Sequence, residues 1–352
     1  MEKMLSHKTQ LKTILHAVAV VLSLLIAATV IPDAGTLKAQ TISWVQVGYS
    51  SAPSARYNSA ITYDAATHST VLFGGANGNS VYGDTWTWAG TWRPMFPANS
   101  PSPREGPAIA FDGAGGNVVL FGGSPTVPVG TGTAFGDTWT WDGINWTQQF
   151  PPLSPPARVW SSMVYDPVTK TVLLFSGTNT PAGDDSFSDT WAWNGVTKTW
   201  TELYPTSHPA GRTMNQLIYN PATRTVVLFG GVTTDLTPLN DTWTWNGINW
   251  TQQFPTSAPS PRNGPALAYD PGLSAVVLFG GAVGTCCSDS LNDTWTWNGV
   301  NWTEIYPANT LPSARNAPAM DYDPLRKVVL MFGGAADSGR ELDDTWFLAV
   351  AP

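Results

Sequence analysis

The sequence predicts an all-β fold, a six-bladed β-propeller of four-stranded antiparallel blades, on three observations. Six Asp-Thr-Trp phrases begin at Asp84, Asp137, Asp189, Asp241, Asp293 and Asp344, spaced 51 to 53 residues apart. Each is accompanied by an Arg after a Pro-rich stretch (Arg56, Arg104, Arg158, Arg212, Arg262 and Arg315) and by an apolar run that ends in Gly. The 352 residues include 33 Gly and 29 Pro and are only 12% charged, a turn-rich composition that argues against long amphipathic helices.

Within a unit, four strands follow in order. After each Arg an alternating stretch runs to an aromatic and an Asp or Asn eight positions on (Tyr63-Asp64, Phe111-Asp112, Tyr165-Asp166, Tyr219-Asn220, Tyr269-Asp270 and Tyr322-Asp323) and then meets turn residues. This is strand a. "VLFGG" and its variants "LLFSG" and "LMFGG" are apolar, β-branched runs stopped by small residues, as expected of a strand covered on both faces. This is strand b. "DTWTW" alternates with period two, and after a short "NG" or "DG" connection "NWTQQF" or its equivalent closes the unit. These are strands c and d, and their many Trp fill the gap between blades that widens away from the axis.

The sixth unit ends at "DTWFLAVAP" and lacks a strand d, whereas "ISWVQVGYSSAPSAR" matches "INWTQQFPTSAPSPR", with 12 residues from Trp to Arg in both. The strand from Ile42 to Val47 therefore completes the last blade, which leaves no open sheet edge. Before it, Lys3, Lys8 and Lys12 precede an apolar run from Ala17 to Ile31, the pattern of an export signal. Residues 1–39 are read as a signal peptide cut after Ala39, with Ala34 as the second choice, and residues 40–352 as one propeller domain in a secreted or periplasmic protein. Cleavage removes four Lys, one Glu and one Asp, taking the net charge from -8 to -10. Nucleic acid is then an improbable partner, because its binding needs a basic face, and no other segment is suited to cross a membrane. Two adjacent cysteines, Cys286 and Cys287, form no disulfide framework.

The Arg opening strand a, the Gly-Gly ending strand b, the Asp and aromatics of strand c and the Trp of strand d together resemble the kelch repeat. More closely the chain is similar to the exported kelch-type propellers grouped with the central domain of galactose oxidase. The resemblance spans Thr41 to Trp346 and implies the propeller fold. A copper oxidase of the galactose oxidase type is not implied: the mature chain holds only His68 and His208, at opposite ends of the blades, and its cysteines are adjacent. Kelch-type sialic acid mutarotases are also six-bladed and exported, but none of their catalytic motifs can be matched here, so catalytic residues stay unassigned.

Loops d-a and b-c leave one face of a propeller, and here the b-c loops differ most, so a ligand is expected on that face. Arg158 and Arg212 open strands there and could form part of an anion-binding ring, yet six Arg and six Asp, one of each per blade, favour structural pairing. Residues that break the repeat are more informative. Trp160 stands two after its Arg, where other blades have Asn58, Gly106, Met214, Gly264 and Ala317. Asn215 and Gln216 replace the Pro, Ser or Ala of other blades. With His208 in the neighbouring d-a loop, these make a candidate site for a sugar or a peptide turn, an aromatic platform beside amide donors. Trp160 as a mere channel plug stays open as an alternative. Neither a metal nor a cofactor is expected, since the acidic b-c loops lack an ordered carboxylate motif. Three functions remain: a binding module for protein or glycan, a carbohydrate-active enzyme such as a mutarotase or epimerase, and a structural surface protein.

Overall fold

The computed structural model describes residues 41–49, 51–126, 134–179, 186–284, 288–308, 310–337 and 339–351. Residues 1–39, expected from the sequence to be a signal peptide, lie outside them, as do Cys286-Cys287 and Asp184-Asp185. Thr41–Ala351 forms one compact unit of six four-stranded antiparallel sheets. No helix among the described residues is long and apolar enough to cross a membrane.

The inner strands are Ala60–Asp64, Ala108–Asp112, Ser162–Asp166, Gln216–Asn220, Ala266–Asp270 and Ala319–Asp323. Each ends on the expected Asp or Asn, whose Oδ1 accepts the amide two residues on (Ala66, Ala114, Val168, Ala222, Gly272 and Leu325) at 2.7–3.0 Å. That side-chain turn is why the a-b connections keep one length. The second strands, such as Thr225–Phe229, are buried on both faces. Their terminal Gly is needed for approach as well as for its positive φ. At Gly74 (φ +68°) a Cβ would lie 2.5 Å from the Arg104 carbonyl oxygen of the next blade.

Six apolar clusters sit one at each junction between neighbouring blades. Phe175 of the third blade, for example, packs with Leu228, Trp245 and Trp250 of the fourth. The strand d Trp keys every junction: Trp44, Trp92, Trp146, Trp200, Trp250 and Trp302 each donate Nε1 to a strand c Thr of the preceding blade at 2.9–3.1 Å. Each also meets that blade's strand b Phe with ring centroids 5.0–5.4 Å apart. Trp is used because one side chain fills the gap, stacks on a ring and satisfies its own polar atom.

The ring closes as expected. Thr41–Val47 pairs antiparallel with Thr345–Ala351 over seven residue pairs, from Thr41 opposite Ala351 to Val47 opposite Thr345. Trp44 reaches back to Thr294 of the fifth blade, while Trp92 of the first blade reaches Thr345 of the sixth. The ends of the chain thus repeat the bonds made at every other junction.

Candidate functional site

The six Arg open the inner strands on the d-a side. Each is at most 1% exposed and forms an ion pair with the Asp of its own "DTW" phrase at 2.5–2.7 Å. Arg158 also donates Nη1 to the Ser176 carbonyl and Nε to the Pro156 carbonyl, and Arg212 does the same to Gly230 and Ala210. In three blades an aromatic covers the guanidinium, Tyr82, Phe135 and Phe187 at 4.1–4.2 Å. The Asp oxygens take a further bond from the strand c indole, as in Asp137 with Trp139 at 2.7 Å. Burial pushes the carboxyls of Asp84, Asp137 and Asp344 up, but hydrogen bonds and charge from the paired Arg outweigh it and hold them below the usual range.

This geometry removes Arg158 and Arg212 from the ligand set, because both are buried and four of the five N–H donors of each are bonded inside the blade. His208 leaves it as well. It is exposed on its loop, with Nδ1 3.0 Å from the Pro209 carbonyl, and lines neither channel cavity.

Just inside the Arg layer, Asn58, Gly106, Trp160, Met214, Gly264 and Ala317 all have φ between 49° and 60°. Each donates its backbone N–H to the carbonyl of its counterpart in the preceding blade at 2.8–3.3 Å, and Asn58 closes the circle onto Ala317. Left-handed backbone at a Trp is costly, but here the hydrogen-bonded circle imposes it on every blade. Only the side chain at 160 is special. Its indole lies over the second blade, where a Cβ on Gly106 would fall 2.5 Å from Trp160 Cδ1. Gly106 makes room for Trp160.

Trp160 lines a cavity of about 70 Å³ at the channel mouth with Ser59, Ser161, Asn215 and Gln216. Among the described residues, the Trp160 Nε1, the hydroxyls of Ser59 and Ser161 and both amide atoms of Asn215 are buried without a hydrogen-bond partner. The structure therefore brings together Trp160, Asn215 and Gln216, three of the six residues singled out in the sequence. Below lies a cavity of about 230 Å³ formed by the inner strands of all six blades.

Two carboxyls that sequence reasoning passed over stand close to this region. Asp321 lines the larger cavity and accepts the amides of Tyr63 at 2.6 Å and Tyr322 at 2.7 Å. Burial pushes its pKa up to about 6 against those hydrogen bonds. Glu105 is 2% exposed and takes one bond, from Asn58 Nδ2 at 3.1 Å, so burial drives it up to about 7. Both were detectable as departures from the repeat. Glu105 occupies the position of Tyr57, Val159, Thr213, Asn263 and Asn316, and Asp321 that of Thr62, Ala110, Val164, Ile218 and Ala268.

The acidic b-c loops are partly self-engaged: Glu341 accepts the Gly78 amide and Asp337 the Ser290 amide, each from a neighbouring blade's loop. Among the described residues no three His, Cys, Asp or Glu side chains gather as a metal-binding group. The outer rim repeats too. Phe96, Phe150, Tyr204, Phe254 and Tyr306, at the ends of the fourth strands, are 82–90% exposed. They belong to the repeat, whereas the channel mouth is where the blades differ.

The model for the KLHDC2/KLHL20/DRC7 Kelch-repeats domain matches residues 167–351, more than half of the chain. No curated protein matches. A solved structure titled "Structure of YjhT" superposes with a TM-score of 0.65 at 15% identity, covering 86% of this chain and 99% of that one. At that identity the likeness concerns the fold.

Proposed function

Because this chain belongs to the kelch-repeat family, whose propellers commonly bind proteins, we propose that it is a non-catalytic binding module taking a protein or glycan on the face where the d-a and b-c loops emerge. The observation that supports this reading is the convergence of Trp160 with Asn215 and Gln216 on one cavity at the channel mouth. All three depart from a repeat that is otherwise kept closely. Their chemistry is that of recognition: an aromatic surface, amide donors and acceptors, and no titratable group lining that cavity. The basic segment followed by the apolar run from Ala17 to Ile31 supports action outside the cytoplasm.

A second reading, a sugar mutarotase or epimerase, draws on the raised carboxyls Glu105 and Asp321, since matched acid and base groups mark catalytic sites. It is the weaker one. Glu105 lines neither cavity, and both Asp321 oxygens are committed to backbone amides.

The test is a glycan array with a sialic acid panel, together with a screen for protein partners, run on the purified protein and a Trp160→Ala variant. Binding by the wild type that is lost in the folded variant is the expected result. Wild-type binding unchanged by Trp160→Ala would move the ligand off the channel mouth, and turnover of any sugar on the panel would replace the module reading with the enzyme one.

A further inference from the structure

Resting on that reading of the channel mouth, we infer that its ligand is an uncharged polyhydroxylated ring, gripped through two adjacent hydroxyls by the side-chain amide of Asn215, and not an acidic sugar. Asn215 is 2% exposed, and neither its Nδ2 nor its Oδ1 has a partner. Ser161, 8% exposed, is likewise unpartnered at its hydroxyl, and both line the same cavity as Trp160. Burying an unpaired amide is costly, and Asn215 is one of the residues that line this cavity.

The kind of ligand follows from what these atoms can exchange. A carboxamide presents one donor and one acceptor side by side in a plane. Of two neighbouring sugar hydroxyls, one can donate to Oδ1 while the other accepts from Nδ2. The hydroxyls of Ser59 and Ser161 serve as donor or acceptor as needed, and the Trp160 indole adds a donor and an apolar face for ring carbons. A carboxylate ligand would exchange its water for uncharged donors alone, with no countercharge lining the mouth among the described residues. Arg158 and Arg212 are buried and paired through two bonds each with Asp189 and Asp241. Among the described residues the one carboxyl lining the larger cavity is Asp321, which in its ionised form repels an anion.

Space is consistent with a single ring. The smaller cavity shares Ser59, Pro107, Ser161, Gln216 and Pro318 with the larger one of about 230 Å³, so a ring held at the mouth can project inward. Longer glycans would enter by one terminal residue.

The experiment compares glucose, galactose and N-acetylglucosamine with glucuronic acid and N-acetylneuraminic acid by calorimetry and ligand-induced thermal shift. The purified wild type, Asn215→Leu and Ser161→Ala are tested. At least one neutral sugar should bind the wild type, the acidic sugars should not, and Asn215→Leu should weaken binding about tenfold or more. Because Asn215→Leu removes two unpartnered polar atoms, it should fold at least as well; if it does not, Ser161→Ala provides the same comparison at a smaller side chain. Acidic sugars binding as well as neutral ones would overturn the inference, as would wild-type affinity in Asn215→Leu. Loss of a protein partner or array glycan in Trp160→Ala, with no response to any neutral sugar, would leave the mouth as a binding face and end this account of it. A raised melting temperature in Asn215→Leu with no sugar response would mean that the amide only holds water.

Discussion

Glu105 carries the sharpest consequence at the scale of one residue. Its carboxyl is buried, and its one hydrogen bond, from Asn58, does not offset the desolvation that raises it to about 7. A folded-state pKa above the unfolded one means that the folded protein holds the proton more tightly. The resulting stability is fully present below the unfolded value near 4.5 and is lost as pH rises through about 7. A shift of this size corresponds to about 3 kcal/mol. Glu105→Gln should therefore lose stability less steeply than the wild type between pH 5 and 8, and the gap should narrow or reverse at the alkaline end. Urea unfolding of both proteins across that range checks it. A constant difference would show that Glu105 does not titrate there. Asp321 shifts in the same direction but is common to both proteins, and Asp84, Asp137 and Asp344 shift oppositely, acting below their ordinary range.

At the scale of one element, strand d shows how position decides the worth of an aromatic. Trp250 is 1% exposed, stacks on Phe175 and bonds Thr190, whereas Phe254, four residues on, is 83% exposed. Trp250→Ala should cost roughly 3–5 kcal/mol through lost burial and the cavity left behind. Phe254→Ala should stay within about 0.5 kcal/mol. Denaturant midpoints of the two variants settle the comparison, and a large cost at Phe254 would mean that the rim aromatics are packed and not presented. Strand a is governed differently. Its outer end is set by the side-chain turn at Asp64 and its counterparts, its inner end by the circle through Asn58, and neither depends on burial of large side chains.

At the scale of the whole molecule, the closing strand decides whether six blades behave as one ring. Deleting Ile42 to Val47 removes Trp44 and most of the pairing with Thr345–Ala351, and it bares that strand's hydrogen-bonding edge. The truncated protein should unfold at a lower temperature, less cooperatively, and should self-associate through the bared edge. Thermal melts with light scattering report both effects. An unchanged melt from a monomer would show that blade stacking alone holds the ring.

The repeat made the propeller legible before any coordinates, because its period, its glycines and its tryptophans are local statements about strands and turns. Blade number, strand order and closure by the first strand all followed from spacing. So did the Arg–Asp pairs, since one of each per blade at the same end of the strands leaves few other partners. Trp160, Asn215 and Gln216 were visible as breaks in that pattern. What the tertiary structure alone decided is which breaks meet. Trp160 and Asn215 belong to different blades and share a cavity only because the ring brings neighbouring inner strands together. His208, close to them in sequence, is carried outward on its loop, and Arg158 and Arg212 are turned into their own blades. Hydrogen-bond satisfaction and burial are properties of the surroundings: the residues show Asn215 and Glu105 only as departures from the repeat, and the structure alone shows that the amide of one is unpartnered and that burial raises the carboxyl of the other.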